Sequence, residues 1–296
     1  MTRLAGTLSD KTCPAHHRSR QQRANVPEVP GVMVIQGMSL RIPAGSLAIS
    51  IGEDGNPRSS PLVPHLRLDL WPTWLEIGCE HARHAHDTAA KVSPSLADED
   101  KAMLLGRELQ DAMVAMCAFA FAFDGFYDVV KSELGEHPNA AQWRQEGRRP
   151  TPRHNQVAET LRYNLKLGPQ STGQLKQLLK ELFKFRGRAV HPSSSYLPAT
   201  MREDIDSGVH PNLITFSGRH AVQCRAIALV LLDRLVERAA EVAEQSADKG
   251  WIETGRREVD RLAGTYRIPG DDQIAYPVDE PLDDGNNSSP DQDPGD

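Results

Sequence analysis

Aromatic residues and cysteines are both scarce in this 296-residue sequence. Phenylalanine, tryptophan and tyrosine together make up 5% of the chain, so a buried core has to be built mainly from alanine, leucine and valine. No Cys-x-x-Cys pair occurs, which excludes a standard zinc finger and a disulfide scaffold. The four cysteines are Cys13, Cys79, Cys117 and Cys224. Because scattered cysteines are typical of a reducing compartment, we expect a cytoplasmic protein.

Long hydrophobic runs are missing as well. The longest apolar run, Ala112–Phe123, has 12 residues, whereas a helix that crosses a bilayer needs about 18. The N-terminal residues contain no apolar segment of the kind that a secretory signal needs, so we expect no membrane association. Glycine-rich phosphate-binding patterns of the Walker A and G-x-G-x-x-G types do not occur either. We therefore expect no cofactor.

The net charge of −6 conceals two segments of opposite charge. Residues 270–296 contain nine acidic residues and no lysine or arginine, which leaves 34 basic against 31 acidic residues in the rest of the chain. Residues 131–191 alone hold twelve basic and five acidic residues. A basic segment of this kind can bind a polyanion. Charge alone favours the simpler interpretation, a solvated helical surface beside a solubilising acidic tail.

The pattern of residues 31–70 is typical of β-structure. Short apolar stretches alternate with turn-forming residues at 43–45 and 53–56. From His65 to Leu70, leucine alternates strictly with histidine, arginine and aspartate, so one face of the predicted strand is leucine and the other is polar. We expect a small antiparallel sheet of three or four strands.

From Asp98 onward the pattern becomes helical, because apolar residues recur every three or four positions. Acidic residues at 98–100 mark the start of one helix, and a capping box of Ser171 and Gln174 marks another. The predicted helices run from Asp98 to about Leu134, from about Arg153 to Leu167, from Ser171 to Val190 and from Ser217 to about Gln245. Four or five such helices predict a bundle.

These patterns predict an α+β chain, mainly a helical bundle, in four parts. A disordered arm covers residues 1–25, and a small antiparallel β module with a connecting loop covers 26–95. The helical bundle covers 96–250, and an acidic, mostly disordered tail covers 251–296.

One arginine lies on the apolar face of the third predicted helix. On a helical wheel with Leu175 at zero, three further leucines lie within about 60° and Arg186 lies at about 20°. A guanidinium in that position either pairs with a charged group or lies where the apolar face meets a cleft or a second chain. Because Pro192 disfavours helical backbone at His191, we expect the helix to end there and the imidazole to fold back toward the guanidinium.

An arginine and a histidine placed together can cleave RNA. The guanidinium can neutralise a phosphodiester and its transition state, and the imidazole can act as general acid or base near neutral pH. Together they suffice for a metal-independent reaction in which the ribose 2′-OH attacks the adjacent phosphate. The structural alternative is that Arg186 pairs with a buried carboxylate such as Asp124 or Glu159, while His191 and Arg188 neutralise the carbonyls at the helix end.

The segment Arg186-Gly-Arg-Ala-Val-His191-Pro resembles the Arg-x(4–6)-His signature of the HEPN superfamily. A long alanine-rich helix before the motif agrees with this resemblance, as do His210-Pro, Phe216-Ser and a final long helix after it. The resemblance covers roughly residues 98–245. Members are usually homodimers that bring two motifs into one cleft; many are metal-independent endoribonucleases of toxin–antitoxin and defence systems, and others have lost catalysis. One difference is Gly187, where active members commonly carry a polar residue, often asparagine.

The resemblance implies that Arg186 and His191 are the catalytic residues. We expect the neighbouring cations Arg188 and Lys184 to bind the substrate. The resemblance also implies RNA and a second copy of the chain as partners. The alternative function is a non-catalytic helical module that dimerises or binds an unidentified protein partner, with Arg186 in a structural ion pair.

Four side chains that can bind metals crowd into eight residues upstream of the bundle. They are Cys79, His81, His84 and His86. On a helix His81 and His84 would share a face, whereas His86 would not. Because no later pair of ligands completes a standard spacing, we expect a solvent-exposed loop here and no metal.

Overall fold

Helices account for most of the described chain. The computed structural model describes residues 35, 38–42, 46, 49–59, 64–143, 150–191, 195–243 and 249–267. The helices are α1 (Trp71–Ala89), α2 (Asp98–Leu134), α3 (Ala140–Trp143), α4 (Arg153–Leu165), α5 (Pro169–Val190), α6 (Asn212–Thr215), α7 (Gly218–Val242) and α8 (Gly250–Tyr266). The strands are β1 (Met38–Arg41), β2 (Ile49–Ile51), β3 (Pro57–Ser59), β4 (His65–Leu68), β5 (Thr200–Arg202) and β6 (Ser207–Val209), with a 3-10 turn at Glu203–Ile205. The mainly helical composition with small antiparallel sheets fits the predicted α+β class.

The chain divides into two units. One consists of residues 1–34 and 44–63, and the other consists of residues 35–43 and 64–296. In the first unit, β2 and β3 form an antiparallel hairpin in which Ile49 lies opposite Ser59. Its turn includes Gly55 at a φ of +74°, a conformation that glycine adopts without the steric penalty of a Cβ.

In the second unit, β1 pairs with β4 in an antiparallel ladder with Leu40 opposite Leu66. These leucines are exposed, whereas Arg67 of β4 is half-buried and forms an ion pair with Glu133 of α2. The polar face of β4 therefore lies toward the helices. The predicted sheet of three or four strands is wrong for the described residues, because β1–β4, β2–β3 and β5–β6 form three separate two-stranded sheets.

Helix α2 is the centre of the helical core. Its Phe119, Phe123 and Phe126 are fully buried, and α1, α4, α5 and α7 all pack against it. Among the described helices, α2 alone is long and apolar enough to cross a membrane by length and composition. Other parts of the protein bury 61% of its most apolar stretch, as is typical of a core helix.

The predicted helices agree with α2, α4, α5 and α7, but the start of α5 is different. The first helical residue is Pro169, and Ser171 is buried within the first turn instead of capping it. A proline suits the first turn because its missing N–H would have no helical partner there. The hydroxyl of Thr172 donates to the carbonyl of Gly168 at 2.7 Å. The predicted capping box is therefore wrong.

The connecting loop predicted before residue 95 is largely a helix, α1. Pro72 lies in its first turn, and small or apolar residues at helical spacing are buried on one side. They include Leu75, Gly78, Cys79, Ala82 and Ala85. The abundance of histidine and charge on the other side of α1 conceals this apolar stripe in the sequence.

The first part of the predicted acidic tail is also a helix. Helix α8 buries Trp251, Ile252, Val259 and Leu262 and packs on α1 and α7. Apolar burial of this kind outweighs the entropy of ordering the segment. The predicted disordered arm at 1–25 lies outside the described residues, as does the acidic part of the tail from 268 onward.

Candidate functional site

Helix α5 places Arg186 on its buried side. Leu175, Leu179 and Leu182 of this helix are buried in the core, and the side chain of Arg186 keeps only 28% of its surface exposed. The predicted position of Arg186 on the apolar face is therefore confirmed.

The partner of Arg186 is Asp124 of α2. Nη1 of Arg186 donates to Oδ2 of Asp124 at 3.0 Å, and Nε of Arg153 at the start of α4 donates to Oδ1 at 2.8 Å. One carboxylate thus links three helices within a cluster whose formal charge is +1. The pairing with Asp124 that the structural alternative predicted is confirmed, while Glu159 pairs with Lys176 instead.

Both guanidiniums of this cluster pack against aromatic rings. The guanidinium carbon of Arg186 lies 4.7 Å from the ring centre of Phe183 and 5.7 Å from that of Phe121. That of Arg153 lies 4.5 Å from the ring centre of Tyr127. Distances below about 6 Å are typical of cation–π contacts. Burial opposes the charged form of Arg153, but the charge and hydrogen bond of Asp124 outweigh burial and raise its pKa.

His191 ends α5 without contacting Arg186. Its backbone N–H donates to the carbonyl of Gly187 at 2.9 Å, so the helical register continues up to this residue. On an ideal helix two residues five apart differ by about 140° in direction, which separates their Cβ atoms by about 10 Å. The exposed imidazole makes no hydrogen bond, ion pair or ring contact with any described residue. The predicted folding back of the imidazole toward the guanidinium is absent.

A row of cations follows α5 on its outer side. We define the α5 cation row as Lys176, Lys180, Lys184 and Arg188, which are spaced four residues apart. From Lys176 to Arg188 the row covers twelve residue steps, or about 18 Å of helix. Lys176 pairs with Glu159, and Lys184 lies 3.4 Å from Glu181. Lys180 and Arg188 are exposed and make no hydrogen bond or ion pair within the described residues.

A cavity of about 480 Å³ opens beside the ion pair of Asp124 and Arg153. The aromatic rings of Trp74 and Phe121 line it together with two arginines and three aspartates. The charged lining residues are Arg67, Asp69, Asp124, Asp128 and Arg153. Because charges of both signs line this cavity, it is not a basic groove for a polyanion. Arg186 and His191 are not among its described lining residues.

Asp69 in the cavity wall has a raised pKa. Burial of its carboxyl group raises this pKa, although the charge of Arg67 opposes the shift. Nε of Arg67 lies 2.9 Å from Oδ1 of Asp69, and Nη1 of the same guanidinium reaches Glu133. The guanidinium of Arg67 is thus already shared between two carboxylates.

The histidine-rich segment lies on α1, not on a loop. Cys79 is fully buried in the core, whereas His81 and His84 reach the surface beside Asp111 of α2. Sequence reasoning missed Asp111, which lies beside the two histidines, and Arg153, which shares Asp124 with Arg186. No local pattern marks either residue, because each meets its partners only through the packing of α2 against α1 or α4.

Comparisons with protein-family models, with curated proteins and with solved structures give no match to this chain. The resemblance to the HEPN superfamily therefore depends on the Arg186–His191 motif and its flanking pattern.

Proposed function

We propose that this chain binds RNA through the α5 cation row. The proposal depends chiefly on one observation, that Lys180 and Arg188 are exposed cations without an ion-pair partner among the described residues. Cations spaced along one rigid helix can contact successive phosphates, and each contact favours binding by releasing a counterion. The excess of basic residues between 131 and 191 supports the same surface.

The HEPN resemblance supports RNA as the polyanion and suggests a stronger form of the proposal, a metal-independent endoribonuclease. In this form Arg186 neutralises the phosphate under attack. Its bond to Asp124 uses Nη1, and within the described residues its Nε and Nη2 make no hydrogen bond, so in this form of the proposal they contact the phosphate oxygens. His191 takes the proton of the ribose 2′-OH as general base.

The bonds and protons of this step balance. The 2′-oxygen forms a bond to phosphorus, and the bond from phosphorus to the 5′-oxygen of the next nucleotide breaks. The leaving 5′-oxygen takes a proton from a second imidazolium, which leaves a 2′,3′-cyclic phosphate and a 5′-hydroxyl end. Because Arg186 and His191 do not meet within one chain, this form of the proposal requires two chains to share one cleft. DNA, which lacks the 2′-OH, is not cleaved.

One observation favours a second function, a non-catalytic interaction module. Asp124 ties Arg186 and Arg153 together across three helices, and this arrangement gives Arg186 a structural role without any substrate. In this module the bundle dimerises or binds a protein partner, and His191 only ends its helix.

Fluorescence anisotropy with a labelled single-stranded RNA of about 20 nucleotides tests binding. We expect the double variant Lys180→Gln/Arg188→Gln to bind at least ten-fold more weakly at low salt. The slope of log K against log salt should fall by about 1.4, because each phosphate contact to a single strand contributes about 0.7. The matched control is Arg256→Gln/Arg257→Gln, which removes two exposed cations from α8. Equal losses in both double variants, or no binding by the unmodified chain, would contradict the proposal.

A cleavage assay in EDTA, with the same RNA and gel analysis, separates the two functions. The endoribonuclease form predicts cleavage by the unmodified chain and loss of cleavage in His191→Ala, with the melting temperature of the protein nearly unchanged. Uncleaved RNA with normal binding supports a binding protein without catalysis. If the unmodified chain neither binds nor cleaves the RNA, the result supports the non-catalytic interaction module.

A further inference from the structure

Two histidines of α1 and one aspartate of α2 converge at the surface of the helical core. His81 and His84 are three residues apart and therefore project from one side of α1, with ring centres 6.0 Å apart. Nδ1 of His81 lies 2.7 Å from Oδ1 of Asp111, which α2 brings alongside from 30 residues further along the chain. Both helices belong to the same unit of the structure.

The three side chains are close enough to share one ion. One ligand atom from each residue lies within 4.8 Å of the corresponding atoms of the other two. In a tetrahedral zinc site with bonds of about 2.0–2.1 Å, neighbouring ligand atoms are about 3.4 Å apart. The side chain of His84 keeps 45% of its surface exposed, so it can rotate inward and close the difference without moving either helix.

We propose that His81, His84 and Asp111 form a binding site for a divalent transition-metal ion, with zinc as the best fit. Two imidazoles and a carboxylate are a donor set that zinc prefers, and three protein ligands leave the fourth tetrahedral position open for water. Oε1 of Glu80 lies 4.0 Å from Nε2 of His84 and adds negative charge beside the site. Ligands on two packed helices are held more rigidly than ligands on a loop.

This site differs from the cluster that the sequence suggests. Cys79 is fully buried in the core, and His86 is not part of the group with Asp111. The third ligand comes from α2 instead. The expectation of no metal assumed that the histidine-rich segment is a loop and that no further ligand lies nearby. Both assumptions are wrong, because the segment is helix α1 and packs on α2, which contributes Asp111.

The competing interpretation is that His81 and Asp111 only form a hydrogen bond that ties α1 to α2. The variant His84→Ala separates the two, because it removes one metal ligand and leaves this hydrogen bond intact. His86→Ala is the matched control, since it removes an exposed histidine from the same helix.

The experiment uses the full chain after treatment with EDTA and removal of the chelator. We expect calorimetric titration with Zn²⁺ to give one ion per chain, and Co²⁺ to give the visible absorption of a tetrahedral site. His84→Ala and Asp111→Asn should each weaken Zn²⁺ binding at least ten-fold, since loss of even an outer-shell partner costs about 10- to 100-fold. Zn²⁺ should also raise the melting temperature of the unmodified chain and of His86→Ala, but not that of His84→Ala.

Two outcomes would overturn the site. One is that the unmodified chain binds no Zn²⁺ at a single saturable site. The other is that His86→Ala weakens binding as much as His84→Ala, which indicates adventitious chelation by exposed histidines. Because no RNA is present, the result is independent of the proposed function.

Discussion

A single carboxylate organises the charged interior of the bundle. Asp124 is half-buried on α2 and accepts hydrogen bonds from Arg186 and Arg153, so two guanidiniums depend on one negative charge. Half-buried pairs of this kind contribute more than exposed ones, because solvent screens them less. Removing the shared partner leaves two cations partly desolvated and close together.

Asp124→Asn is therefore expected to lower the free energy of unfolding by about 1–2 kcal/mol, between the values for surface and fully buried ion pairs. The matched control is Asp128→Asn on the same helix, where the exposed carboxylate has Lys131 as its one ion-pair partner among the described residues. Its loss should change the free energy by no more than about 0.5 kcal/mol. Urea unfolding followed by circular dichroism measures both variants. Equal changes in the two would show that Asp124 is not the shared partner in solution.

Helix α7 packs closely on α1 where α7 begins. The N–H of Gly218 donates to Oε1 of the buried Glu108 at 2.8 Å, and Oε2 of the same carboxylate accepts from Arg202. A Cβ added at Gly218 would lie 2.6 Å from the backbone oxygen of Ala85 in α1. Backbone atoms cannot move aside as a flexible side chain can, so the start of α7 requires a glycine.

Gly218→Ala should accordingly destabilise the protein by about 1–3 kcal/mol through overpacking. Gly106→Ala is the opposite case, because a Cβ at this helical position in α2 meets nothing within 4 Å. Alanine there should stabilise the protein by about 0.5–1 kcal/mol through its higher helix propensity. Thermal unfolding of both variants measures the contrast, and a shift of the same sign in both would contradict the packing of α7 on α1.

For the molecule as a whole, a buried and a half-buried histidine link stability to pH. His137 is buried, stacks on Trp143 with ring centres 4.7 Å apart, and accepts the N–H of Asn139 at its Nδ1. Burial lowers the pKa of His137, and burial together with the charge of Lys180 lowers that of His154. Below the unfolded value of about 6.5, the unfolded chain therefore binds more protons than the folded one at these sites.

The contribution of these groups to folding is complete above about pH 6.5 and declines as the pH falls toward their folded pKa values. The free energy of unfolding of the unmodified chain should fall between about pH 7.5 and 5.5, and in His137→Gln it should fall less. His65→Gln, which replaces an exposed histidine of β4, is the control and should leave this decrease unchanged. Urea unfolding at a series of pH values measures both. An identical pH dependence in His137→Gln and the unmodified chain would rule out the buried neutral imidazole.

Local spacing in the sequence determined four of the helices and the position of the arginine on α5. Apolar residues three and four apart predicted α2, α4, α5 and α7 to within a few residues, because helix formation follows short-range periodicity. The same wheel placed Arg186 on the buried side of α5. Helices α1 and α8 were not predicted, because many charged residues surround their narrow apolar stripes.

Only the tertiary structure decided which side chains meet. Asp124 reaches Arg186 across 62 residues, and Asp111 reaches His81 across 30, in both cases because α2 packs in the centre of the bundle. Sequence spacing describes one element at a time, whereas a site depends on the register and rotation of two packed elements. For this reason the sequence offered two alternatives for Arg186, and the packing of α2 on α5 supplied its partner.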